Sequence, residues 1–209
     1  MQFELFTQLL TALATITLAA SGVLQAARCQ MDFFGALVLA LVCALGGGTL
    51  RDVLMGATPV FWLTDLSYLW IILGTSLLTI TLIHKITPGK GIRERLLDIA
   101  DAAGLALFAI LGTQKALHYE LVAPAAVVMG VVTGIAGGMI RDVLTPTTPF
   151  VMRGEIYAVA AILGAVTYTL MRLIAPEVTA MLLGMAVIFL LRLAAIIWHL
   201  KVPMLKFRE

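Results

Sequence analysis

"GGGTLRDVL" at residues 46–54 sets three consecutive glycines ahead of an arginine and an aspartate, and it occurs again. "GGMIRDVLTPTTP" at 137–149 aligns without gaps on "GGTLRDVLMGATP" at 47–59, offset by 90, with eight identities in thirteen positions. The same offset pairs Gly22 with Gly112, Ala26 with Ala116, Asp65 with Glu155 and Gly74 with Gly164, so the repeat extends well beyond one motif.

The surroundings of the two copies are those of a membrane protein. Hydrophobic residues make up 61% of the 209-residue chain and charged residues 12%, and the mean hydropathy is +1.05. A spanning helix needs about 20 apolar residues, so this length holds about seven spans and no separate soluble domain. Apolar runs between polar breaks place spans at 4–26, 33–56, 66–84, 96–117, 121–144, 154–174 and 178–199. The first run has no basic segment before it and is too long for a signal peptide, so it reads as a span. Cys29 and Cys43 have neither disulfide-framework nor zinc-ligand spacing.

Each copy of the glycine motif lies in the middle member of a triplet of spans. A unit of three spans followed by its own copy enters the membrane from opposite sides, so the copies have inverted topology, related by a pseudo-two-fold axis in the membrane plane. The expected fold is an all-α integral membrane protein of seven transmembrane helices. Residues 1–90 form the first three-helix repeat, 91–176 the second, inverted repeat, and 177–209 a seventh helix and a tail. Arg28, Lys85, Lys90, Arg93, Arg95, Arg153, Lys201, Lys206 and Arg208 fall at one set of alternate connections, and Lys115 and Arg172 at the other. The positive-inside rule then places the N-terminus outside and the C-terminus in the cytoplasm.

Gly46, Gly47 and Gly48 of the first copy and Gly137 and Gly138 of the second fall about 20–24 Å along their helices at 1.5 Å per residue. Glycines there predict a second and a fifth span that are bent or broken, with freed backbone groups facing a wet cavity, the pattern of a transport site. The plainer alternative is close helix packing through small residues. Arg51 and Asp52, and Arg141 and Asp142, are adjacent, so on a helix they point about 100° apart and are expected to find partners other than each other. The inversion puts one pair at each mouth of a path. There a guanidinium suits a carboxylate and an aspartate an ammonium; alternatively the four residues are interfacial anchors and caps. Arg192 in the last span needs an acidic partner, for which Asp101 is the first candidate and Asp98 the second. His84, His118, His199, Trp62, Trp70 and Trp198 sit at span ends, as interfacial residues do.

No HExxH, GxSxG or P-loop pattern is present, so enzymatic activity is not expected. The basic residues are few and placed by topology, which argues against nucleic acid as a partner. No cofactor or metal is called for.

"GGGTLRD", "GGMIRDVL", "EIYA" at 155–158 and "RLAAIIWHLKVP" at 192–203 resemble the bacterial family of paired glycine-transporter domains over nearly the whole chain. That family is related to the trimeric intracellular cation channels. The resemblance implies two inverted three-helix repeats plus a seventh helix, bent second and fifth helices, one path per protomer, and a homotrimer among inner-membrane lipids. It marks Gly46, Gly47, Gly48, Arg51, Asp52, Gly137, Gly138, Arg141 and Asp142 as lining the solute path. Two departures stand out: the second copy reads Ala136-Gly137-Gly138 where three glycines are common, and Thr11 holds the position equivalent to Asp101. The expected function is transport of a small solute, glycine first. A monovalent cation channel is the alternative, and a non-transporting scaffold the third.

Overall fold

The computed structural model describes residues 2–85, 90–153 and 156–200, without the side chains at 2, 84–90 and 93. Glu155, Lys201, Lys206 and Arg208, and the side chains of His84, Lys85, Lys90 and Arg93, lie outside the described residues. The regular elements of the described residues are all helical: α1 (Gln2–Arg28), α2 (Phe33–Leu54), a short α3 (Phe61–Thr64), α4 (Ser67–Lys85), α5 (Lys90–His118), α6 (Ala123–Val143), a 3-10 turn (Phe150–Met152), α7 (Ala158–Met171) and α8 (Glu177–Trp198).

Local chemistry sets these boundaries. Glu4 opens α1 and Arg28 closes it, each complementing the helix dipole. Asp32 caps α2, its carboxylate accepting from the Gly35 amide at 2.7 Å. Pro124 in the first turn of α6 costs no hydrogen bond there. Ahead of α4 the Ser67 hydroxyl and amide hold the Asp65 carboxyl below the usual carboxylate range.

Among the described residues, five helices are long and apolar enough to cross a membrane: α1, α2, α5 over Glu94–His118, α6 and α8. The stretches Ser67–Ile83 and Ala158–Met171 are shorter apolar helices. Each long helix falls on an expected span, although α5 begins six residues before residue 96 and α7 is confined to 14 residues. Leu5, Leu9 and Leu13 on α1 and Leu182, Leu183 and Leu190 on α8 point outward, as a bundle solvated by hydrocarbon permits.

Helix α5 is the hub, packing on α1, α6, α7 and α8. The remaining contacts run in parallel sets: α1 meets α2 and α4 as α5 meets α6 and α7, and α2 meets α4 as α6 meets α7. Helices α2 and α6 cross each other directly, and α8 lies against α5 and α7.

The glycines explain that crossing. Both α2 and α6 are helical without interruption through Gly46–Gly48 and Gly137–Gly138, so the expected break is absent. A side chain on Gly47 would collide with the Thr133 carbonyl oxygen of α6, and one on Gly137 with the Cys43 carbonyl oxygen of α2. Each glycine rests on the backbone four residues before the other's, so the helices approach as only residues without Cβ allow.

Candidate transport site

At the end of the bundle where α2 finishes, Arg51 turns its guanidinium back onto its neighbour. Its Nε donates to Asp52 Oδ1 at 2.8 Å, and Nη2 lies 2.8 Å from the same oxygen. The expectation that adjacent residues would not pair is therefore corrected: a Cβ separation of about 100° is bridged by the long arginine stem. Lys115, arriving from the end of α5, donates to Asp52 Oδ1 at 2.8 Å, and the Phe61 amide donates to Oδ2 at 3.0 Å. Asp52 is fully buried with both oxygens engaged. The Phe61 ring lies 5.8 Å from the Arg51 guanidinium and meets Tyr68 edge-on at 5.0 Å. These groups border a cavity of about 190 Å³ whose wall also includes Thr7, Thr11 and Gln114. Gln114 is shared with a neighbouring hollow of about 230 Å³ at the same end, lined by His118, Arg172 and Glu177. The Glu177 carboxylate accepts from the Tyr168 hydroxyl.

The end of α6 repeats this construction. Arg141 Nε donates to Asp142 Oδ1 at 2.8 Å, and the Phe150 amide donates to Asp142 Oδ2 at 3.1 Å. Phe150 lies 5.2 Å from the Arg141 guanidinium and stacks on Tyr157 at 6.1 Å. This mouth is shut. Arg141 Nη1 donates to Asp101 Oδ1 at 2.7 Å and also to Ser21. Arg141, Asp101 and Arg192 are all 0% exposed. Arg153 covers the Phe150 ring at 4.4 Å and Arg192 lies over the Tyr157 ring at 4.7 Å. Between Gly138, Phe150 and Tyr157 there is no room for a water molecule.

The family model described as glycine transporter matches the chain twice, over residues 8–84 and 98–173. The chain belongs to the glycine transporter family. The two matches begin ninety residues apart and leave α8 outside both. Among relatives of this glycine transporter family member, the UPF0126 membrane protein of Vibrio cholerae is 47% identical over 190 residues, covering 90% of this chain and 78% of its own. The UPF0126 inner membrane protein YadS of Escherichia coli is 44% identical over 191 residues, 90% of this chain and 91% of its own. Among solved structures, the TRIC trimeric intracellular cation channel orthologue from Rhodobacter sphaeroides matches with a TM-score of 0.87 at 38% identity, covering 93% of this chain and 99% of its own. A prokaryotic TRIC channel in 0.5 M KCl matches with a TM-score of 0.89 at 29% identity, covering 94% of this chain and 98% of its own. The glycine transporter chain thus has the TRIC channel fold, and its class of activity is membrane transport.

The residues singled out in the sequence fall into three groups. Arg51 faces the cavity and Asp52 lies behind it; Arg141 and Asp142 form the closed mouth; Gly46, Gly47, Gly48, Gly137 and Gly138 lie at the crossing and beside the mouths. A Cβ on Gly48 would strike the Phe61 ring, and one on Gly138 would press on Asp101 and the Tyr157 hydroxyl. The ion pair found for Asp101 is with Arg141, a partner the sequence reading did not assign to it.

Lys115, Gln114, Thr7, Phe61, Tyr68, Phe150 and Tyr157 were missed as site residues. The repeat itself could have found the aromatics. Past the loops the correspondence runs at 89 rather than 90, so Phe61 answers to Phe150 and Tyr68 to Tyr157. With that shift the ungapped pairing of Gly74 with Gly164 lapses: Gly164 packs tightly on Gly184 and Ile188, while Gly74 faces open space.

Proposed function

We propose that this glycine transporter family member moves glycine or a similarly small zwitterion along a path within each protomer, passing the crossing of α2 and α6. The observation that carries this reading is the charge of the cavity at the α2 end. Arg51 and Lys115 line it, no carboxylate does, and Asp52 behind them has both oxygens engaged. Such a lining attracts a carboxylate and repels a bare cation. The π face of Tyr68 and the hydroxyl of Thr7 offer sites for an ammonium.

The frame of the proposal is two inverted three-helix repeats, residues 1–90 and 91–176, with α8 added to make seven spans. The parallel helix contacts and the double family match support it. The N-terminus lies outside, the C-terminus lies in the cytoplasm, and the chain forms a homotrimer in the bacterial inner membrane. In that orientation the cavity opens outward and the Arg141 mouth is closed on the cytoplasmic side. Asp101 and Arg192, which both lie beside Tyr157, tie α5 to α8 through that ring.

A monovalent cation channel is the second reading, favoured by the similarity to two TRIC channels. Proteoliposomes holding the purified protein separate the two. Uptake of labelled glycine that falls several-fold in Lys115→Gln, with little potassium flux, is the expected result. Potassium flux without glycine uptake would replace the proposal with the channel, and no flux of either kind would leave a scaffold.

A further inference from the structure

Resting on the reading of the α2-end cavity as the solute site, we infer that this cavity contains a carboxylate subsite bounded by Arg51 and Thr11, and that Asp101 marks the corresponding place at the other mouth with a carboxylate of the protein's own.

The two mouths are alike in their framework. Each has an arginine folded onto the next aspartate, a phenylalanine amide on that aspartate's second oxygen, and a tyrosine beside the phenylalanine. They differ in what α1 and α5 bring to them. At the α6 end Asp101 supplies a carboxylate at 2.7 Å from Arg141, and both are fully buried. At the α2 end the corresponding residue, ninety earlier, is Thr11, and a cavity of about 190 Å³ stands there with Thr11 and Arg51 both in its wall.

Charge points the same way. The closed mouth holds Arg141 against two carboxylates, Asp101 and Asp142, whereas the open one sets Arg51 and Lys115 against the single carboxylate of Asp52. Asp65 and Glu177 at that end are engaged by Ser67 and Tyr168, and neither they nor Glu4 and Glu120, exposed at the same end, line the cavity. What the open mouth lacks is one carboxylate, and a carboxylate from solution satisfies both the vacant volume and the excess charge.

The neighbouring substitutions run both ways: Thr7 and Gln114 line the cavity where the repeat has Leu97 and Leu24, and Leu111 lines it where the repeat has Ser21. The subsite takes a small carboxylate, of which the glycine carboxylate is the smallest that also carries an ammonium.

Calorimetric titration of the purified full-length protein with acetate, and separately with glycine, tests the subsite, with thermal unfolding of every variant as the fold control. Acetate and glycine are expected to compete. Thr11→Asp, which installs the internal carboxylate, should weaken both by roughly tenfold or more, while Thr11→Asn should keep both within about threefold. Should Thr11→Asp fail to fold, glycinamide on the wild type takes its place: lacking the carboxylate, it should not displace acetate. Equal acetate binding by folded Thr11→Asp, displacement by glycinamide, or no acetate binding by the wild type would each overturn the subsite. Acetate binding that is lost in Thr11→Asp, together with vesicles that move potassium and no glycine, would instead sink the transport proposal and leave the subsite standing.

Discussion

Arg141 is a fully buried guanidinium held by Asp101, Asp142 and Ser21. Removing one partner of such a group leaves a charge without compensation, at a cost of about 3–5 kcal/mol. Asp101→Ala is therefore expected to lower the thermal midpoint of the detergent-solubilised protein sharply. Thr11→Ala, at the corresponding place in the first repeat, borders open space and should leave the midpoint nearly unchanged. Opposite results for the two variants would show that the closed mouth is not held by this pair. Legible in advance were the two Arg-Asp dipeptides and the presence of Thr11 at the position equivalent to Asp101. The internal pairing of Arg51 with Asp52 was not, because helical spacing fixes where a Cβ points and says nothing of where a long side chain ends. Lys115 was read only as a loop charge. That its amine reaches Asp52 follows from the packing of α5 near the end of α2, which no local pattern contains.

At the scale of the helix, a glycine that permits a break and one that permits contact look the same in sequence. The distinction lies in the opposite helix, which here presents a carbonyl at Gly47 and another at Gly137. Gly47→Ala and Gly137→Ala should each cost about 1–3 kcal/mol through overpacking, measured as a lower midpoint, with Leu worse. Gly74 in α4 has open space where a Cβ would project. Gly74→Ala should therefore be neutral or stabilising by up to about 1 kcal/mol, since alanine is the better helix former. Equal losses at all three positions would mean that backbone conformation, rather than contact, governs these sites. Helix positions followed readily from hydropathy. The early start of α5 did not, since its first turns are charged and carry no apolar period.

For the whole molecule, the repeat was legible because eight matched positions survive in one ungapped block, and the family model matches the chain twice, over residues 8–84 and 98–173. Helix α8 lies outside both, yet Gly164 of α7 is packed against Gly184 and Ile188 of α8. A chain ending at residue 175 should therefore fail to accumulate in membranes, as blotting of membrane fractions would show; normal accumulation would make α8 dispensable to the fold. The orientation proposed from the basic connections predicts fluorescence from green fluorescent protein fused to the C-terminus, and a dark fusion would reverse the two mouths. The proposed trimer could not be read from periodicity or spacing, because outward-facing leucines serve lipid and neighbouring protomers equally well.

The α2–α6 crossing has a consequence for ancestry. Gly47 stands four residues after Cys43 on one helix, as Gly137 stands four after Thr133 on the other, and each glycine sits on the other helix's residue of that kind. A half-length chain would carry both sides of that contact on a single helix, so two separate copies could meet as α2 and α6 do now. Joining them end to end would have required no new complementary surface at the centre of the protein, because an isologous contact is already its own partner.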